Sequence, residues 1–233
     1  MPITTPIPSD RDLFYRGLVR LGRFPMWVTS RPIIVEAHHA AREGGYILAS
    51  NHFSPYDIPI LMRSTPRRLD FVSIIEFFQK PFVAWLFSNM NAFPLDRHHA
   101  DPKTVRLILD RLARGRVIAM FPEGDMRNEQ TSVVNGGPFR AGLLRIATLA
   151  NVPIIPVVID GSAAYSNLIN MLPLRRVRYG LIYGQPIDVR DEQEATAHLA
   201  NSWRTLYKQL RERMTARGPK CVITPSASSV ASS

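Results

Sequence analysis

The chain predicts an α/β fold: a single domain with a largely parallel central sheet covered by helices. Three observations carry that prediction. Residues 46–50, 117–121 and 153–159 are short, unbroken apolar runs, the length and composition of strands buried on both faces. Longer segments between them place apolar residues three and four apart, the period of a helix with one buried face. The two patterns alternate along the chain, as they do when parallel strands are joined through helices.

Taken in order, residues 11–24 form a helix with Phe14, Leu18 and Leu21 on one stripe and Arg16, Arg20 and Arg23 on the opposite one. Strands follow at 32–36 and 46–50. A helix over 56–63 opens behind Ser54 and Pro55, a good N-cap and a good first helical residue. A strand at 69–74 leads to a helix over 77–89, where Phe77, Phe78, Phe82, Trp85 and Phe87 suit either an acyl-chain tunnel or the core. In the helix over 103–114, Val105, Ile108, Leu109 and Leu112 face inward, and Gly115 is placed to end it. The strand at 117–121 is broken at once by Pro122-Glu123-Gly124-Asp125. A helix over 139–150, strands at 153–159 and 177–183, and a charged helix over 192–216 complete the domain.

Composition sets the outer bounds. At 233 residues the chain fits one domain with a full core and no need of disulfides, and the lone Cys221 points to a reducing compartment. The net charge of +10 favours an anionic partner: a phospholipid surface, a phosphorylated substrate or nucleic acid. No secretory signal is expected, because the N-terminus lacks an apolar core before a cleavage site, and no uncharged run approaches the roughly 18 residues of a transmembrane helix. The expected organisation is an amphipathic, membrane-interfacial segment over 1–30, the main domain over 31–218, and a Ser-rich disordered tail over 219–233.

The chemistry concentrates in Asn51-His52-Phe53-Ser54-Pro55-Tyr56-Asp57, between a strand and a helix. A histidine takes up a proton near neutral pH, and a nearby carboxylate orients its ring and stabilises its cation. The same residues also read as a capped helix start, with Ser54 as N-cap and Asp57 reaching back to backbone donors. The two readings are compatible.

Three further blocks follow in order: Phe93-Pro94-Leu95-Asp96-Arg97, Phe121-Pro122-Glu123-Gly124, and an apolar stretch containing Val152-Pro153 and Ile155-Pro156. With the Asn-His-x4-Asp block, this order resembles the glycerolipid acyltransferase family, which includes the 1-acylglycerol-3-phosphate acyltransferases. The resemblance runs from about Tyr46 to Ile187. It departs from the family pattern at Asn91, where the second block usually opens with Gly. It departs also at Ile74, where a lysine is often found, and after Gly124, where Asp125-Met126-Arg127 moves the arginine one place later.

The resemblance implies a glycerol-3-phosphate acyltransferase-like fold and acyl transfer from a thioester to a lysophospholipid hydroxyl, most directly that of lysophosphatidic acid. It makes His52 the general base and Asp57 its orienting acid. Arg97 would hold the acceptor phosphate, with Asn51, Gly124 and Arg127 beside the substrate. Glu123 would bond the glycerol backbone or buttress the site. Amides around Glu123 and Gly124 would hold the oxyanion. The donor, acyl-coenzyme A or acyl carrier protein, would be a substrate, with no bound cofactor. The enzyme would sit peripherally on the cytoplasmic face of a membrane, with no transmembrane span.

The departures leave other acceptors open: glycerol-3-phosphate, another lysolipid or a lyso-amino-acid lipid. Thioester hydrolysis and an inactive membrane-binding protein are the further alternatives. A nucleic-acid binder would explain the charge, but no recognition motif for one is present. No metal is expected, because His38-His39 and His98-His99 are adjacent pairs whose side chains would point apart.

Overall fold

The computed structural model describes residues 12–74, 85, 89–95, 102–166 and 176–216. Its strands are β1 Ser30–Val35, β2 Tyr46–Ser50, β3 Leu69–Ile74, β4 Ala92–Leu95, β5 Val117–Met120, β6 Ile154–Asp160 and β7 Val177–Tyr183. Its helices are α1 Asp12–Thr29, α2 Asp57–Ser64, α3 Pro102–Ala113, α4 Gly142–Ala150 and α5 Glu192–Ala216. One seven-stranded sheet runs in the order β1-β7-β6-β2-β5-β3-β4. The strands from β6 to β4 are mutually parallel. β7 is antiparallel to β6 and β1 is parallel to β7, so one wing of the sheet is reversed.

Both faces of the sheet are covered, which is why its central strands are continuous apolar runs. In β2, Ile47 and Ala49 enter the core shared with α3, α4 and α5. Tyr46 and Leu48 enter the other core, beneath α1 and α2. The α5 stripe Leu199, Trp203, Leu206 and Leu210 is buried against the first face, and the Trp203 indole N–H donates to Ala49 O at 3.2 Å. That bond satisfies the one polar atom of a fully buried side chain whose truncation typically costs about 3–5 kcal/mol.

Local chemistry accounts for the boundaries. Gly115, at φ +75°, ends α3; its N–H reaches Leu112 O at 2.9 Å, and Arg116 N–H reaches Arg111 O at 3.0 Å. Below β3, Asp70 is buried between Arg111 and Arg116, with Arg116 Nε at 2.6 Å, which ties the start of the strand to the end of α3. β4 was not anticipated because Pro94 reads as a strand breaker; it is tolerated because β4 is the edge strand among the described residues, where it pairs with β3 alone. α4 starts at Gly142, later than expected, because Arg140 N–H is drawn to Pro122 O at 3.0 Å instead of opening the helix.

α1 departs most from expectation. It runs through Pro25 to Thr29, where the Thr29 hydroxyl donates to Pro25 O at 2.8 Å and the Ser30 hydroxyl to Met26 O. Its inward face is Tyr15, Leu18, Val19 and Met26. Leu21, expected on that face, is 77% exposed, because the buried stripe follows Tyr15, Val19 and Met26 and Leu21 lies off it. The expected helix over 77–89 and the tail over 219–233 lie largely or wholly outside the described residues.

Candidate active site

The carboxyl ends of β6, β2 and β5 lie side by side in the middle of the sheet, the rim where α/β folds build their sites. The chain leaving β2 is anchored first by Asn51. Its amide donates to Ile159 O at 2.9 Å and accepts from Ile159 N–H at 2.8 Å, extending the ladder to β6 by one side chain. Asn51 is 0% exposed, and its side chain fixes the strand end from which His52 projects.

His52 Nδ1 lies 2.9 Å from Asp57 Oδ2. A carboxylate only accepts, so Nδ1 carries the proton and Nε2 keeps its lone pair. The same Asp57 oxygen accepts from Phe53 N–H at 2.7 Å and Ser54 N–H at 2.9 Å, while Ser54 Oγ accepts from Tyr56 N–H at 3.1 Å. The helix opens at Asp57 behind Tyr56, two residues later than a Ser54 N-cap implies, yet the Ser54–Asp57 turn and the histidine–carboxylate pair coexist, and the turn holds the carboxylate against the ring. Asp57 is fully buried, whereas the His52 side chain keeps 16% of its surface open. Phe121 stacks on the imidazole with centroids 4.1 Å apart and planes 18° from parallel.

The turn after β5 grips His52 by its backbone. Glu123 Oε2 accepts His52 N–H at 2.8 Å, and Arg127 N–H donates to His52 O at 2.8 Å. The other Glu123 oxygen takes the Ser132 hydroxyl and Val133 N–H, the latter at 2.9 Å. Both oxygens of this buried carboxylate thus serve the protein, and of the two expected roles the geometry serves the buttress. Gly124 stands at φ +79°, with its amide donating to Phe121 O at 3.0 Å. That amide, expected to face an oxyanion, is engaged inside the turn.

His52, Asp57, Glu123, Gly124 and the Arg127 backbone are thus brought together, with Asn51 immediately beneath. Arg97 lies outside the described residues. Two contributors had no assigned role: Phe121, although its aromatic ring sits within a recognised block, and Ser132, which no local sequence signal marks. Away from the site, His38 and His39 do not point apart. They occupy a 3-10 turn over Ala37–Ala41 that brings their ring centroids to 4.2 Å. With Glu36 they form a group whose donor atoms could converge on a metal, past the carboxyl end of β1 and hence at the opposite end of the sheet from His52.

Residues 32–160, more than half of the chain, match a family model described as Acyltransferase. The chain belongs to this family. It is an acyltransferase, and the histidine–carboxylate pair lies within the matched segment. Similar curated proteins include the 1-acyl-sn-glycerol-3-phosphate acyltransferase of Bacillus subtilis, 21% identical over 74% of this chain and 84% of that protein. A chloroplastic enzyme of the same name from Brassica napus is 27% identical over 61% of this chain and 42% of its own length. One from Cocos nucifera is 28% identical, covering 80% of this chain and 60% of that protein. The chain thus spans most of the bacterial relative but less than two thirds of either plant one. Among solved structures, the 1-acyl-sn-glycerophosphate (LPA) acyltransferase of Thermotoga maritima superposes with a TM-score of 0.65. That match covers 89% of this chain and 82% of the other at 20% identity, and it supports the same fold.

Proposed function

We propose that this acyltransferase moves a fatty acyl group from an acyl thioester to the free hydroxyl of 1-acylglycerol-3-phosphate, giving phosphatidic acid. The observation that carries the proposal is the His52–Asp57 pair, with Nδ1–H turned to the carboxylate and Nε2 left basic. Nε2 takes the hydroxyl proton as the acceptor oxygen attacks the thioester carbonyl. Asp57 stabilises the resulting imidazolium. Collapse of the tetrahedral intermediate breaks the carbon–sulfur bond, and the departing thiolate takes the proton back from His52. The acceptor hydroxyl is itself the nucleophile, so no acyl-enzyme is required; Ser54, the serine of the same block, is buried with its Oγ accepting from Tyr56 N–H.

Acyl-coenzyme A or acyl carrier protein enters as a substrate, not as a resident cofactor. The family resemblance assigns the acceptor phosphate to Arg97, with Arg127 beside the substrate. The names of the Bacillus, Brassica and Cocos relatives support lysophosphatidic acid as acceptor.

The site is reached from a membrane surface. No described helix is long and apolar enough to cross a bilayer. α1, however, carries exposed Leu13, Leu21, Phe24 and Trp27 among Arg16, Arg20 and Arg23, the make-up of an interfacial helix on an anionic surface. It packs on α2, the helix that supplies Asp57. A groove of about 1040 Å³ between α1 and the α2–β3 connection is lined by these arginines. It belongs to this surface and not to the His52 site, from whose residues its lining is distinct. Together these features support a peripheral enzyme on an anionic membrane surface.

An acceptor panel tests the assignment. With acyl-coenzyme A or acyl carrier protein as donor, lysophosphatidic acid is expected to gain one acyl group far faster than glycerol-3-phosphate, lysophosphatidylcholine or a lyso-amino-acid lipid, read by mass spectrometry. A faster neutral or zwitterionic acceptor would replace the phosphate reading, and Arg97→Ala is expected to raise KM for the phosphorylated acceptor alone.

A further inference from the structure

The turn after β1 gathers three side chains of metal-ligand type at the end of the sheet opposite His52. Glu36, His38 and His39 each offer one donor atom, and these atoms lie within 4.8 Å of one another. His38 Nδ1 stands 3.4 Å from Glu36 Oε2. Two ligands about 2 Å from a tetrahedral zinc ion are about 3.3 Å apart, so this pair already has the spacing of a coordination edge. His39 Nδ1 lies 3.0 Å from Tyr183 O. A carbonyl only accepts, so Nδ1 carries the proton and Nε2 keeps the lone pair. Ligating histidines make this same bond, which fixes both the tautomer and the ring for the metal.

The turn that carries them is held in place. The Tyr46 hydroxyl donates to Ala40 O at 2.6 Å and Ala40 is fully buried, so the turn is tied to β2 as well as to β7. Glu36 enters it at φ 56° and ψ 32°, the left-handed region, where a residue other than glycine is strained. Its side chain makes no capping bond that offsets the strain; the carboxylate faces His38 instead. All three side chains keep access to solvent, which gives a hydrated ion a way in.

We infer that Glu36, His38 and His39 form a binding site for zinc or a similar divalent transition ion, with water completing its shell. Two imidazoles and one carboxylate favour such an ion over magnesium or calcium, which take oxygen ligands. The ion serves the fold and not the acyl transfer: it clamps the β1–β2 connection and, through His39, the end of β7. The inference stands apart from the proposed reaction.

Zinc chloride is titrated calorimetrically into the untagged, chelator-treated full chain and into its His38→Ala, Glu36→Gln and Glu36→Gly variants. The wild type is expected to bind zinc with a Kd on the order of micromolar. Each substitution should weaken that binding by about tenfold or more. Glu36→Gly removes a ligand while easing the left-handed backbone, so a loss of zinc there is not a failure to fold. Zinc should also raise the melting temperature of the wild type and leave that of His38→Ala unmoved, since an ion bound only by the folded chain stabilises it. Unchanged zinc affinity in His38→Ala and Glu36→Gly, or no saturable binding by the wild type, overturns the inference and leaves Glu36 and His38 as an ion pair. Equal affinity for magnesium overturns it too, because imidazole selects against that ion.

Discussion

At the scale of single residues, the site works because His52 has little freedom left. Its N–H, carbonyl and Nδ1 are each bonded, and Phe121 covers one face of the ring, so Nε2 is the atom left for chemistry. Asp57→Asn separates orientation from charge. The asparagine oxygen can still accept from Phe53 and Ser54, but it cannot stabilise an imidazolium as a carboxylate does. The expected result is a kcat/KM lower by about 10²–10⁴-fold with a near-native thermal melt; wild-type kcat/KM in that variant would remove Asp57 from the mechanism. His52 and Asp57 were legible because their spacing belongs to a set of ordered blocks. Asn51 and Glu123 were legible as members of those blocks, and for Glu123 the buttress was one of the two roles left open. Whether a polar side chain meets substrate or backbone depends on what the neighbouring strand offers, and β6 lies more than a hundred residues away in sequence.

At the scale of elements, the turn after β5 is a brace between β2 and the 3-10 turn at Val133–Asn135. Glu123→Gln puts an amide donor among N–H and O–H donors. The expected cost is about 1–3 kcal/mol, with a lowered melting temperature and a reduced kcat together. A reduced kcat with no change in melting would point to direct substrate contact. Asp70→Ala is expected to destabilise by about 3–5 kcal/mol, because Arg111 and Arg116 lose the carboxylate they share, while kcat of the folded fraction is kept. Denaturant melts measure both. Most elements were legible from periodicity, since strands buried on both faces and helices with one buried stripe each leave a clear pattern. β4 was not, because a proline at an edge contradicts local propensity without contradicting the pairing. The inward face of α1 was misjudged because Leu21 and Met26 are equally apolar, and only contact with α2 and the sheet selects between them.

At the scale of the whole molecule, catalysis is expected on a surface. Arg16, Arg20 and Arg23 stand among exposed Leu13, Leu21, Phe24 and Trp27 on the outward side of α1. At about 1 kcal/mol per arginine near an anionic leaflet, replacing all three by glutamate should lower affinity for phosphatidylglycerol-containing vesicles by roughly 100-fold or more. Salt should weaken wild-type binding in the same direction. Turnover in detergent micelles should be kept; unchanged vesicle sedimentation would show that α1 is not the docking face. The net charge of +10 hinted at such a partner, but charge alone does not say where the arginines lie. The strand order and the reversed β7–β1 wing were likewise not legible, because they depend on which distant strands pair.

The most direct test of the account is thiol release from acyl-coenzyme A by the purified chain, with and without lysophosphatidic acid, beside His52→Ala. Release that requires both the acceptor and His52, with one phosphatidic acid formed per thiol, is the predicted result. Thiol release that persists in His52→Ala at the wild-type rate, or that proceeds equally without acceptor, would contradict it.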